Sequence, residues 1–308
     1  MKRLGIIGSG AMAQLFAARL SEIAQVVLAG TYPLHMEAIA GGITCIHQDG
    51  KETKHKITSG TNPAALPPCQ HIIILTKSHQ TEEAARRAKA LLDLRASDSC
   101  ILTLQNGMGN LETIQAINGK DKVLAGVTTQ AAKLEAPGTV RDTGAGSIFL
   151  PGAEQDDKAT VFASLFGNAG FDVQTEESID AALWKKLLIN AAINPITAIY
   201  RKPNGFIASD SKARKEAEAI IEEFIAIADK AGHLFDKEEA VTLVMQVANA
   251  TATNQSSMLS DVKEGRKTEI DAILGYLLAK ADEQAQASPV IRYFYQRIKA
   301  IEPGFNAV

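Results

Sequence analysis

Cysteine is scarce in this chain, and its three copies, Cys45, Cys69 and Cys100, lie far apart with no C-x-x-C spacing. An odd, scattered set offers neither a disulfide framework nor a thiolate metal site, and it suits thiols kept reduced in the cytoplasm. Histidine builds no metal site either. The six copies, His35, His47, His55, His71, His79 and His233, never fall at H-x-x-x-H spacing, so each reads as a surface or edge residue. A long apolar run is also missing. Lys2-Arg3 precedes an apolar stretch, but Gly5, Gly8 and Gly10 interrupt it before a signal-peptide core could form, and no later run reaches membrane-spanning length. Charge of one sign is not in excess: 32 basic against 35 acidic residues leave a net −3, which argues against nucleic acid or an anionic membrane as the main partner. Internal repeats and low-complexity tracts are absent as well.

What is present describes an ordinary globular protein. With 308 residues, 46% of them apolar and 22% charged, the chain can bury two cores. Leu4 to Ile7 reads as a strand, and Gly8-Ser9-Gly10-Ala11-Met12-Ala13 follows it and opens a helix through Gln14, Leu15, Phe16 and Leu20. This is the G-x-G-x-x-A dinucleotide fingerprint in its strand-turn-helix context. Gly8 allows the tight turn, Gly10 a close approach of pyrophosphate, and Ala13 close packing of helix on strand; the helix start offers N–H groups to the phosphates. Val26 to Gly30 reads as the second strand. Where an NAD enzyme commonly carries an acid for the ribose hydroxyls, Thr31-Tyr32 stands instead, which tilts the expectation to NADP, although no arginine is present to grip a 2′-phosphate.

Ile43 to Thr58, alternating around Asp49-Gly50, predicts an inserted hairpin. His71 to Leu75 and Cys100 to Leu104 read as buried strands, which places Lys77 and Asn106 just past carboxyl ends of parallel strands, where open α/β sheets bind ligands. Further strands are expected at 123–127, 139–140, 147–150 and 171–175. Strand signals then stop. The pattern from Ser178 is helical, with long amphipathic runs over 213–231 and 238–259. The expected organisation is a Rossmann-type, doubly wound α/β domain over 1–177 and an all-helical domain over 178–308 that carries substrate recognition.

The helical half holds the most informative stretch. Lys186, Asn190 and Asn194 recur at i, i+4, i+8, so one helix presents an amine and two amides as a polar stripe on an apolar rod. Such a stripe can protonate an oxygen and hold the oxygens beside it, which suits chemistry on a small polar carbonyl compound. Asn254, Ser257 and Asp261 are expected to share a second helix face. Thr268 is expected to cap a further helix, with Asp271 closing a capping box and Glu269 in the first turn. Glu269 serves either the helix dipole or, beside Lys186, a substrate hydroxyl.

In this order the segments Gly8 to Ala13, Lys77, Gln105-Asn106-Gly107-Met108-Gly109, Trp184 to Ala198, Pro203-Asn204-Gly205, Ser256 to Asp261 and Thr268-Glu269-Ile270-Asp271 resemble the ketopantoate reductase (2-dehydropantoate 2-reductase) family over essentially the whole chain. The resemblance implies a cytoplasmic NADP(H)-dependent reduction of 2-dehydropantoate to pantoate, towards pantothenate and coenzyme A. It implies Lys186 as general acid, with Glu269 holding the substrate hydroxyl and orienting the amine. Asn106, Asn190, Asn194, Asn204 and Ser257 would bind substrate. Gly8, Ser9, Gly10, Ala11, Met12, Ala13, Thr31, Lys77 and Asn106 would bind the cofactor. The family often has an arginine where this chain has Thr31. Two alternatives stay open: a reductase of another branched 2-oxo acid, and a non-catalytic NADP-binding sensor. A homodimer is left open too.

Overall fold

The computed structural model describes residues 3–144 and 146–303. By its contacts the chain divides into two units. The first comprises residues 1–105 and 110–182, and the second takes residues 183–308 together with the four residues 106–109.

The first unit is a Rossmann-type α/β domain. Its six-stranded parallel sheet is built from β1 (Arg3–Ile7), β2 (Gln25–Ala29), β5 (Thr58–Gly60), β6 (His71–Ile74), β7 (Cys100–Thr103) and β8 (Val123–Ala125), in the order β5-β2-β1-β6-β7-β8. Apart from Arg3 at the start of β1, the central strands are buried along their length, as expected when helices cover both faces of a parallel sheet. Helices α1 (Ala11–Leu20), α2 (Pro33–Ala40), α3 (Thr81–Leu91), α4 (Asn110–Asn118) and α5 (Lys158–Asn168) belong to this unit. The strand order reverses beside β1, so the loops leaving β1 and β6 flank the switch point where such sheets take their ligands.

The expected hairpin forms as β3 (Ile43–Ile46) and β4 (Glu52–His55), but it joins a separate four-stranded sheet in the order β10-β11-β3-β4, with β10 (Ala131–Ala136) and β11 (Thr139–Gly144). A short β9 (Val127–Thr128) pairs β12 (Ser147–Pro151), which pairs β13 (Asp172–Glu176).

The second unit is helical. Its first and longest helix, α6 (Ile179–Tyr200), begins in the last residues of the first unit and carries Trp184, which is stacked on His233 at 4.6 Å and packed edge-on against Phe224 and Tyr276. Around it lie α7 (Phe206–Ser209), α8 (Ser211–Lys230), α9 (Lys237–Ala250), α10 (Ser257–Lys263), α11 (Tyr276–Glu283) and α12 (Pro289–Ile301), closing one apolar core. The run expected over 238–259 is two helices. It breaks at Thr251-Ala252-Thr253-Asn254, and Ser256 starts α10 by accepting the Leu259 N–H at 3.1 Å. Asn254 therefore precedes α10 and does not share a helix face with Ser257 and Asp261.

Candidate active site

The glycine loop is built as its spacing predicts. Gly8 has φ +134°, and a Cβ there would stand 3.0 Å from the Leu75 carbonyl oxygen, so only glycine fits. Where a Cβ of Gly10 would project there is open space, while Ala13 is fully buried under the turn. The Ser9 carbonyl accepts the Gln14 amide at 2.9 Å and faces the His35 Nδ1 at 3.2 Å. With no side-chain cap and no acidic residue in the first turn of α1, the helix start leaves backbone N–H groups of the kind that can receive phosphate charge.

The end of β2 is closely packed at Gly30. A side chain at Gly30 would collide with the Met36 Sδ and come within 2.8 Å of the Ser9 Cβ. Thr31 is exposed, and Tyr32 caps α2, with its hydroxyl accepting from Gln80 at 3.4 Å. Lys77 follows β6 as the half-buried residue before a 3₁₀ turn, Ser78–Gln80. Gln105, named above only as part of a motif, fixes the loop that carries it. Gln105 donates to the Thr76 carbonyl (3.2 Å), Thr76 Oγ1 (3.1 Å) and Thr81 Oγ1 (2.9 Å), and accepts from Thr103 at 3.0 Å, which ties the ends of β6 and β7 together.

In the second unit, Lys186, Asn190 and Asn194 do lie on one helix, with the first two half-buried and Asn194 buried. Pro195 sits inside that helix and lacks an N–H, so the Ala191 carbonyl loses its usual helical partner. Burial pushes the Lys186 ammonium down to about 8, against an opposing pull from the Glu269 carboxylate. Asn106 donates Nδ2 to Glu269 Oε2 at 3.2 Å. Three of the expected groups, Lys186, Glu269 and Asn106, are thereby one cluster. Gly107 and Met108 dock it: Gly107 has φ +79°, a Cβ on it would lie 2.5 Å from the Ala272 Cβ, and the Met108 N–H donates to the Ala272 carbonyl at 2.9 Å.

Ser257 is exposed in the first turn of α10, next to Ser256, whose hydroxyl meets Thr197 of α6 at 2.8 Å. Asn204 donates its amide to Thr251 at 3.0 Å and its N–H to the Asn254 carbonyl at 2.9 Å, so it ties the loop after α6 to the end of α9. Asp261 is buried against Arg266. The expected capping box is replaced. Thr268 Oγ1 accepts the Ile270 N–H at 3.2 Å, but the acid that accepts the Thr268 N–H is Glu302, while Asp271 is held by Tyr295 and Lys299. The segment Asp271–Gly275 is a π-helical turn, a feature frequent at functional sites. Among the described residues no cluster of three His, Cys, Asp or Glu could hold a metal, and no helix is long and apolar enough to cross a membrane.

Comparison with known proteins identifies the family. The ketopantoate reductase PanE/ApbA sequence model matches residues 4–155, and that family's C-terminal model matches residues 178–302. The chain belongs to the ketopantoate reductase family. A 2-dehydropantoate 2-reductase of Pyrococcus horikoshii is 31% identical over 303 residues, covering 97% of each chain. One of Archaeoglobus fulgidus is 30% identical over 308 residues, covering 99% of each. Among solved structures, a PanE/ApbA family ketopantoate reductase from Ralstonia eutropha superposes with a TM-score of 0.85 at 25% identity, covering 97% of this chain and 98% of that one. A D-mandelate dehydrogenase in complex with NADH and anilino(oxo)acetate has the same fold, with a TM-score of 0.90 at 24% identity and 97% coverage of both chains.

Proposed function

We propose that this ketopantoate reductase family member catalyses the NADPH-dependent reduction of 2-dehydropantoate to pantoate in the cytoplasm, with Lys186 as the general acid. The observation that carries the reading is the Lys186–Glu269 pair, an amine brought to about 8 by burial beside a buried carboxylate. An acid with a midpoint near neutrality can both give a proton to an alkoxide and regain it from water. The pair also disfavours a non-catalytic sensor, which needs neither group.

The glycine loop fits a dinucleotide through the open side of Gly10 and the uncapped start of α1, and Lys77 adds a cation at the end of β6. When bound, the cofactor supplies hydride to the keto carbon. Lys186 then delivers a proton to the developing alkoxide oxygen. Glu269 accepts the substrate hydroxyl and keeps the amine oriented, and Asn106 steadies that carboxylate through its 3.2 Å bond. Asn190, Asn194 and Ser257 bind substrate oxygens; Asn204, with its amide given to Thr251, contributes chiefly by holding its loop. NADPH is preferred to NADH because no carboxylate stands after β2 for a free ribose diol.

The test follows NADPH absorbance with 2-dehydropantoate and a panel of other branched 2-oxo acids. Lys186→Ala is expected to lower turnover by roughly two to four orders of magnitude, with cofactor binding little changed. Near-normal turnover in that variant would sink the assignment. Faster turnover of another 2-oxo acid would replace the substrate and keep the chemistry.

A further inference from the structure

Glu269 is buried, and so are its neighbours Thr268 and Ile270. A buried carboxylate can be aimed only if the backbone that carries it is fixed. The chain enters this segment from the loop after α10 and leaves it through a π-helical turn, so neither side gives Thr268 a helical partner for its N–H. Glu302, just past the end of α12 and 34 positions away, supplies it. One of its carboxylate oxygens accepts the Thr268 N–H at 2.7 Å and the Thr268 hydroxyl at 2.5 Å; the other is paired with Lys299 at 2.9 Å. Lys299 reaches on to Asp271 at 3.2 Å, and Tyr295 donates to the same carboxylate at 2.9 Å. Residues on both flanks of Glu269 are thus pinned to α12, while the Glu269 carbonyl accepts from Ala272 and Ile273 at 3.1 Å each. Glu302 itself is buried, and a buried carboxylate is costly unless its hydrogen bonds and ion pair are used.

We propose that Glu302 is a positioning residue for Glu269, fixing through Thr268 the backbone from which the Glu269 carboxylate meets Lys186. The inference rests on the reading of Lys186 and Glu269 given above. It makes the residue that follows α12 part of the reaction's machinery although Glu302 touches no reacting atom.

The test uses the full-length protein, with Glu302→Ala, Glu302→Gln and Glu302→Asp made in the parent and in a Glu269→Gln background. The first readout needs no turnover: competitive labelling of the Lys186 amine with trace acetic anhydride across pH, read by mass spectrometry. The parent midpoint should lie near 8. Glu302→Ala should lower it, because a displaced Glu269 supports the ammonium less. Glu302→Gln, whose amide oxygen still accepts both Thr268 hydrogens, should stay near the parent, and Glu302→Ala should add nothing once Glu269 is glutamine. The second readout is kcat/KM, expected to fall roughly 10- to 100-fold in Glu302→Ala, as for a misplaced catalytic group, and less than about threefold in the Glu269→Gln background. Should the alanine variant fail to fold, Glu302→Asp, which keeps the charge and draws the carboxylate back by one methylene, carries the same comparison. A parent-like midpoint with only a lower melting temperature would overturn the proposal, as would additive losses in the double variant. If the parent reduces no 2-oxo acid, the proposed activity fails, while the labelling still decides the role of Glu302.

Discussion

Replacing Glu269 by glutamine removes one charge beside Lys186 while nearly conserving shape. Two opposed effects set that amine: burial, the larger, pushes it down from 10.5 and the Glu269 carboxylate draws it back up, which together leave it at about 8. Without the carboxylate only the lowering remains, so the variant must lose its proton below pH 8. An opposite charge at close range ordinarily shifts a pKa by about 1–3. Taking the smallest shift, the protonated fraction at pH 7.5 falls from about three-quarters to about one-quarter, and at pH 9 it falls roughly tenfold. A general acid works only while protonated, so kcat/KM for reduction should be level at low pH and decline above the midpoint. The decline should centre near pH 8 in the parent and about one unit lower, or more, in the variant. Initial rates of NADPH consumption at low substrate, from pH 5.5 to 9.5, give both curves. At pH 6, where a one-unit shift still leaves the lysine about nine-tenths charged, the loss that remains after correction for the protonated fraction reports the substrate hydroxyl, a charge-assisted bond worth about 1.5–3 kcal/mol. That loss should shrink for an analogue lacking the hydroxyl. If Glu269 served only the helix dipole, the cost would be about 0.3–1 kcal/mol of stability with kinetics intact. Superimposable pH profiles would refute the coupling of the two residues, and an upward shift would refute its sign.

Thr31→Arg should widen the preference for NADPH over NADH, measured as the ratio of kcat/KM values, because a guanidinium can grip a 2′-phosphate that Thr31 cannot; better efficiency with NADH in the parent would show that the missing carboxylate is uninformative. Gly107→Ala should destabilise the protein to urea by about 1–3 kcal/mol, since the residue needs φ +79° and its Cβ would strike Ala272, and a parent-like midpoint would mean the 106–109 segment is not docked as described. The last concerns His55, whose ring lies between Ser21 Oγ at 3.1 Å and Thr53 Oγ1 at 2.7 Å, with His47 beyond Thr53 at 2.8 Å. Burial holds its pKa below 6.5 despite Glu22, so below pH 6.5 the unfolded chain binds the proton more readily and stability must fall as pH falls through that window. The urea midpoint followed from pH 7.5 to 5 should show this fall, and His55→Gln should blunt it; an identical slope in the variant would exclude His55 as the source.

Much of the site was legible because its chemistry is written locally. The glycine loop is six consecutive residues whose geometry follows from glycine at 8 and 10 and a small residue at 13, and the Lys186, Asn190, Asn194 stripe is visible wherever helical periodicity is drawn. The class change near residue 178 was legible for the same reason, as strand periodicity simply ends. What escaped depends on partners far along the chain. Ala131–Ala136 has helix-favouring Ala, Lys, Leu and Glu, yet it is a strand because β11 pairs with it. Spacing alone assigns the Thr268 cap to Asp271, three residues on. Tyr295 and Lys299 claim that acid, and Glu302 takes the cap across 34 residues. Asn106 was found as a strand-end residue, but its partner Glu269 lies 163 positions away.

The division has a physical basis. A residue that touches reacting atoms must be chemically unusual for its place, an amine on an apolar helix or a carboxylate in a core, and such oddity shows in one dimension. A residue that aims it need only offer an ordinary acceptor or an ordinary gap. Glu302 is one acid among many on the chain, and Gly107 one of 23 glycines; nothing in their own neighbourhoods marks them. Their importance comes from what stands opposite: an N–H with no helical partner at Thr268, and an alanine with no room beside it at 272. Errors at such positions should lower activity by misaiming Glu269 rather than by removing a reactive group. Their variants are therefore expected to shift the Lys186 midpoint and its coupling to Glu269, whereas loss of Lys186 itself removes the proposed proton donor at every pH.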